Sequence, residues 1–382
     1  MKRRGALVAL AGLSSGCLRL TSRANGTRTE DASGTESETP GIRDPQLDLE
    51  SATKAELWSI ETREAPCATD GDDFALATGV ASREISIHDA ETGDAQWSDA
   101  TDYDISLVTA TFTDTELLVF AELSDGRTKL LALNRETGEV RRERDITGRR
   151  PDWAQTFGNA VVSGLMVSPD NQDQNVGHIR VRELDTLDER WTSESKTRGS
   201  VNRAITIDET LYISFDNFLE ARSIADGTRR YRAPLSISVP VGYEGDLIAS
   251  IDGSLRRMNS SNLEYKWSLG TEVLGNPVIK DDLVAVPTTD GILVATVEGE
   301  QLWQQTLDDE STHRPNGAVF HGGLLWVHSP GDIVRGFIPR SGEIAYELSQ
   351  EVIKSIGSTD SSIIIEGSTV LSGYTVVSES DQ

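Results

Sequence analysis

The sequence predicts an all-β fold: an eight-bladed β-propeller built from four-stranded antiparallel blades. Three observations predict it. A Trp or Tyr anchor recurs with a period near 40 residues, no segment carries a helical apolar period, and the two ends of the repeat region are complementary fragments of one blade. The stretch "HDAETGDAQW" at 88–97 shows the unit, which returns as "LNRETGEVRR" at 133–142 and "PRSGEIAY" at 339–346.

The chain begins with an address rather than a fold. "MKRRGALVALAGLSSGC" has a basic start (Lys2, Arg3, Arg4), a short apolar stretch from Gly5 to Leu13, and small residues before Cys17. That reads as an export signal over residues 1–17, too short to span a membrane. The Arg3-Arg4 pair resembles a twin-arginine signal, which exports folded proteins, although "RRGALV" lacks the bulky apolar residue usual after the pair. "LSSGC" resembles a lipoprotein processing site and marks Cys17 for lipidation, with Ser14 where an apolar residue is usual. Ordinary cleavage and release as a soluble protein is the alternative. Residues 18–54 are rich in Gly, Ser, Thr and Glu and read as a disordered tether. Asn25 and Asn259 each head an Asn-x-Ser/Thr triplet, the acceptor pattern for N-glycosylation.

Residues 55–382 carry the repeats. The anchors are Trp58, Trp97, Arg142, Trp191, Tyr231, Trp267, Trp303 and Tyr346. Four residues before successive anchors stand Gly93, Gly138, Leu187, Gly227, Leu263, Gly299 and Gly342; eight before stand Asp89, Asn134, Glu183, Ser223 and Asn259. Gly accepts positive φ, and Asp, Asn and Ser bond their own backbone, so this is a turn. Ahead of it each unit holds three short runs rich in Val, Ile and Leu, such as "GNPVIKD", "LVAVPTTD" and "ILVATV" before "QLWQQ". Each unit is a four-stranded meander. "AELWSIE" at 55–61 is a fourth strand without its first three, and the run after Tyr346 supplies three strands without a fourth. Joining them closes an eighth blade and hides two edges; seven blades with terminal extras is the alternative.

The pattern Ala-x-Asp-x-x-Thr-Gly-x-x-x-Trp resembles the repeat of PQQ-like, quinoprotein-type propellers: "IHDAETGDAQW" departs from it only at Ile87. The resemblance implies that the anchor docks one blade on the next, a blade-docking role for Trp58, Trp97, Trp191, Tyr231, Trp267, Trp303 and Tyr346. Dehydrogenases of that family pair the quinone with adjacent cysteines and a calcium ion. This chain has only Cys17 and Cys67, far apart, so no cofactor is expected.

Composition narrows the partner. The formal charge is −26 and no basic stripe appears, which excludes a nucleic-acid binder. Dispersed carboxylates with scarce Lys resemble the surfaces of haloarchaeal proteins. The histidines His88, His178, His313, His321 and His328 do not converge; His321 and His328 fall at opposite strand ends, so no metal site is expected. Cys67 reads as a small strand residue. Arg149, Arg150 and Trp153, off the repeat register, are candidate contacts at the funnel, and 168–177 is the longest surface insertion. The expectation is an exported, lipid-anchored, monomeric propeller on the outer side of the cytoplasmic membrane, possessing no catalytic residues. It would bind a protein or small-molecule ligand at its funnel. A propeller lipoprotein of the bacterial outer-membrane assembly machinery is the analogue in fold, and a quinoprotein-like or carbohydrate-directed extracellular enzyme is the alternative.

Overall fold

The structure, a computed structural model, describes residues 52–378 apart from 62–65, 78–81, 168–175, 199–200, 271, 274, 290, 308–316, 330–332, 350–352 and 368–369. Arg3, Arg4, Cys17, Asn25 and His313 lie outside the described residues.

The described residues form eight four-stranded antiparallel blades. The first strand, β1 (Ala52–Glu61), belongs to the last blade. Blade 1 is β2 (Pro66–Asp70), β3 (Asp73–Ala77), β4 (Ser82–Asp89) and the start of β5 (Ala95–Phe112). Blade 2 takes the rest of β5, then β6 (Glu116–Leu123), β7 (Thr128–Asn134) and β8 (Val140–Ile146). Blade 3 is β9 (Trp153–Phe157), β10 (Ala160–Val167), β11 (Val176–Glu183) and β12 (Glu189–Arg198). Blade 4 is β13 (Val201–Ile207), β14 (Thr210–Phe215), β15 (Phe218–Ser223) and β16 (Arg229–Ala233). Blade 5 is β17 (Val241–Tyr243), β18 (Asp246–Ile251), β19 (Ser254–Asn259) and β20 (Tyr265–Leu269). Blade 6 is β21 (Val278–Lys280), β22 (Leu283–Pro287), β23 (Gly291–Thr296) and β24 (Gln301–Thr306). Blade 7 is β25 (Gly317–His321), β26 (Leu324–Ser329), β27 (Ile333–Phe337) and β28 (Ile344–Ser349). Blade 8 is β29 (Ser355–Ser358), β30 (Ile363–Glu366) and β31 (Val370–Ser378), completed by β1.

The ring closes as the terminal fragments require. β1 pairs antiparallel with β31, with Trp58 opposite Gly373. Across the same closure, the Asp360 N–H donates to the Gly71 carbonyl at 2.8 Å. Closure leaves no open side to the ring and holds the first and last described strands in one sheet.

The core lies between blades, because each sheet is apolar on both faces. The second strand of each blade is its most buried: β14 and β18 are buried at every residue. Ala75, Ile85 and Ile87 of blade 1 pack on Phe112, Leu117 and Leu133 of blade 2, and the other described seams repeat the arrangement.

Three details differ from the sequence reading. Blades 1 and 2 share one continuous strand, β5, so they form a single seven-stranded sheet. The first described strand opens at Ala52, ahead of the boundary read at residue 55. Val176 and Gly177, read as loop, open β11, because each finds an antiparallel partner at the end of β10.

Candidate functional site

The repeat turn creates the ring's docking geometry. All seven turns place a positive φ four residues before the anchor: Gly93 (73°), Gly138 (75°), Leu187 (62°), Gly227 (73°), Leu263 (61°), Gly299 (91°) and Gly342 (76°). Asp89 Oδ1 accepts from the Glu91 and Thr92 amides, and Asn259 Oδ1 accepts from Ser261 and Asn262. Asn259 thus caps its own turn.

Every anchor but Tyr346 reaches the turn of the following blade. The indole N–H donates to a backbone carbonyl there: Trp58 to Ala90 (2.8 Å), Trp97 to Arg135 (2.7 Å), Trp191 to Ile224 (2.9 Å), Trp267 to Val297 (2.8 Å) and Trp303 to Pro339 (2.7 Å). The ring then covers the positive-φ glycine. A Cβ at Gly138 would lie 2.6 Å from Trp97, and at Gly227 2.6 Å from Trp191. Glycine is required at these turns twice over, for its conformation and for the close approach.

The two turns with Leu instead of Gly face Arg142 and Tyr231, two of the three anchors that are not Trp. Arg142 precedes Leu187, donating to the Leu184 carbonyl at 2.6 Å and bonding Asp185 and Glu116. Tyr231 precedes Leu263, and its hydroxyl donates to the Ser260 carbonyl at 2.7 Å; burial pushes that phenol well above its usual range. Leucine fills the volume the missing indole leaves, at the cost of a left-handed backbone. Tyr346 has no turn to meet, because the third and fourth strands of blade 8 come from opposite chain ends. Its ring lies against Trp326, 6.1 Å between centroids, in the cluster that joins blades 7 and 8.

Ionic clamps, which the sequence reading missed, reinforce two seams on the turn side of the ring. Arg135 of blade 2 bonds Asp70 (2.7 Å) and Asp73 (2.8 Å) of blade 1 and stacks on Phe112. Arg257 of blade 5 bonds buried Asp246 (2.6 Å) in its own blade and Glu298 (2.7 Å) of blade 6. Single charged residues carry no periodicity, so no pattern marks these partners.

The opposite side of the ring carries the blade-to-blade crossings and the mouth of the central channel. The structure separates the three residues assigned there. Trp153 is buried; its indole N–H donates to the Val201 carbonyl at 3.2 Å and its ring covers Gly164. It is inter-blade core between blades 3 and 4, and its early position in the blade made it look like a loop residue. Arg149 is exposed. Arg150 folds back on the innermost strand of blade 2, donating to Thr109 Oγ1 and to the Pro151 carbonyl (3.0 Å). Burial lowers its basicity, and its Nε has no partner. Of the two arginines, Arg150 is fixed by these bonds and Arg149 is exposed.

Among the described residues, no group of three His, Cys, Asp or Glu side chains is placed to hold a metal. His321 and His328 sit at opposite ends of the β25–β26 pair, opposite Leu324 and Gly317. Each docking indole is committed to a carbonyl and a glycine of its neighbour, as the blade-docking role requires.

The sequence pattern of the family described as outer membrane protein assembly factor BamB matches residues 42–232 and 175–317. The chain belongs to that family. Among solved structures it is similar to BamB from Moraxella catarrhalis (14% identity, TM-score 0.63, 85% of this chain and 100% of that one). It is similar to the computationally designed Ika8 protein (16%, 0.63, 84% and 99%) and to a quinohemoprotein alcohol dehydrogenase from Comamonas testosteroni (11%, 0.61, 86% and 77%). At such identities these structures share the fold. No curated protein sequence matches the chain.

Proposed function

We propose that this BamB-family propeller is a non-catalytic binding scaffold, held by a lipid on Cys17 outside the cytoplasmic membrane, that engages a protein or small-molecule ligand at the channel mouth around Arg149 and Arg150. The observation that carries the reading is the commitment of the docking side chains: every Trp anchor serves ring integrity, leaving the crossing side to recognise a partner. An acidic domain gains nothing from anionic headgroups, so attachment depends on the lipid, and stable attachment takes two acyl chains.

Two measurements test it. Intact mass of membrane-extracted protein should show an acylated N-terminus at Cys17, and Cys17→Ser should leave the membrane fraction; an unmodified N-terminus beyond Cys17 defeats the anchor. A photo-crosslinker at Arg149 should capture a defined adduct in intact cells that one at Glu136, on the turn side, does not. Equal capture at both positions defeats the crossing-side assignment, and dye reduction by protein loaded with quinone and calcium defeats the non-catalytic reading.

A further inference from the structure

The repeats supply an internal comparison at the third strand of each blade. Nine residues before the anchor, blade 4 has Arg222 and blade 3 has Arg182. Arg222 is fully engaged: its Nε donates to Glu220 at 2.8 Å and its Nη1 to the Gly227 carbonyl at 2.7 Å. Glu220, almost fully buried, also lies 3.6 Å from Arg229 across the strand pair.

Blade 3 inverts the arrangement. The residue in the place of Glu220 is Arg180, and the residue in the place of Arg229 is Glu189. The acid has moved from the buried strand to the rim, where 42% of its side chain is exposed. Arg182 keeps the burial, with 6% of its side chain exposed, but not the partner. Its one ionic contact is Glu189 at 3.6 Å, and its Nε, the atom that grips Glu220 in blade 4, is buried with no hydrogen bond. Arg180, two residues away on the same side of β11, reaches the Thr147 carbonyl of blade 2 at 2.6 Å. Arg144 of blade 2 lies on this seam too, bound to Asp188 of blade 3. It is also the seam where Arg142 replaces the Trp anchor. A buried guanidinium without a hydrogen-bond acceptor is costly, and most such groups are satisfied by a counter-charge or an ordered small species.

We infer that the seam between blades 2 and 3 binds a small tetrahedral oxyanion, sulfate or phosphate, on the Nε edge of Arg182, in the place that the Glu220 carboxylate occupies in blade 4. The guanidinium edge offers two parallel donors matched to two oxygens. Arg180 and Arg144 add positive potential there, opposed by Glu189 and Asp188.

The test is thermal melting of the mature chain in sodium gluconate, with sulfate or phosphate substituted at fixed ionic strength. Wild type should show a saturable rise in melting temperature with at least one of the two ions; the ion with the lower half-saturation is the occupant. Arg141→Met, an exposed arginine on β8, should keep the rise. Arg182→Met should lose it. Arg180→Glu, which places a carboxylate where blade 4 has Glu220, should lose it, and keeps the test valid should Arg182→Met fail to fold. Crystals soaked in selenate should show an anomalous peak beside Arg182 Nε. A rise of equal size in wild type and Arg180→Glu, no saturable rise in wild type, or an ordered water alone at that position overturns the assignment.

Discussion

Replacing Gly138 with Ala tests whether the glycine–indole contact is what joins the blades. Gly138 has φ +75°, and a Cβ there would meet Trp97 atoms at 2.6 and 2.8 Å. Two penalties should add. The left-handed conformation costs a side chain about 1–2 kcal/mol, and overpacking a tight site costs about 1–3 kcal/mol. Gly126 separates them: its φ is +82°, but a Cβ there would find nothing within 4 Å. Gly126→Ala should therefore lose about 1–2 kcal/mol, and Gly138→Ala about 2–5 kcal/mol. Urea denaturation reads both, as a shift in midpoint at unchanged slope. The chain also contains the remedy. Trp97→Tyr with Gly138→Leu recreates the pairing of Tyr231 with Leu263, and the double variant should be more stable than the sum of the single losses by at least about 1 kcal/mol, the coupling expected of residues in direct contact. Equal losses for Gly126→Ala and Gly138→Ala, or strict additivity in the double variant, would refute the reasoning.

Three further outcomes follow from the structure. Cooperative melting should fade on dialysis from molar to millimolar salt, as 62 carboxylates against 36 basic residues lose their screening; a melting temperature indifferent to salt argues against a halophilic surface. Deleting the chain from Gly357 removes the strands that hold β1, so circular dichroism should report loss of the folded ring or light scattering should report aggregation. A truncated chain that stays monomeric and equally stable contradicts ring closure. Burial holds the His321 imidazole below its usual range, opposed by the Thr359 carbonyl it bonds. The folded state therefore resists protonation that the unfolded chain accepts. Stability from this group is complete above about pH 6.5 and falls as pH drops through the folded value. Urea midpoints at pH 7.5 and 5.5 should differ more in wild type than in His321→Asn; identical differences rule the effect out.

The fold was legible because the chain repeats. Seven approximate copies of one turn and the two complementary ends gave the blade count, the strand order and the closing pair without any structural information. Anchors that depart from Trp were legible as departures, but not their compensation: only the coordinates show that Leu187 and Leu263 face Arg142 and Tyr231. Trp153 was misplaced for a physical reason. It stands at the start of an innermost strand, where one aromatic residue with no periodic neighbours gives no sign of whether it faces the channel or the seam. The clamps of Arg135 and Arg257 were invisible for the same reason, since ion pairs across 40 to 65 residues of sequence leave no spacing to read. β5 hid differently: its two halves were each read as strands, and nothing in "DATDYD" indicates that the backbone stays extended between them.

A repeat protein carries its own control experiment at every position, and that is where its individuality can be sought. Positions that obey the pattern serve the ring and say nothing about a partner. Where the pattern breaks, two cases separate. Tyr231 with Leu263 is a break repaired in place: volume is refilled, the hydroxyl takes over the indole's hydrogen bond, and the seam is apolar again. Arg142 with Leu187 is repaired in volume and in its carbonyl bond, but the same seam gathers Arg144, Arg180 and Arg182 and leaves the last without a hydrogen bond. A stability requirement alone would have ended at the first kind of repair, because an apolar seam is cheaper to maintain than four guanidinium groups between two sheets. The Nε of Arg182, buried and without an acceptor at this seam, is the group that the inferred anion would satisfy.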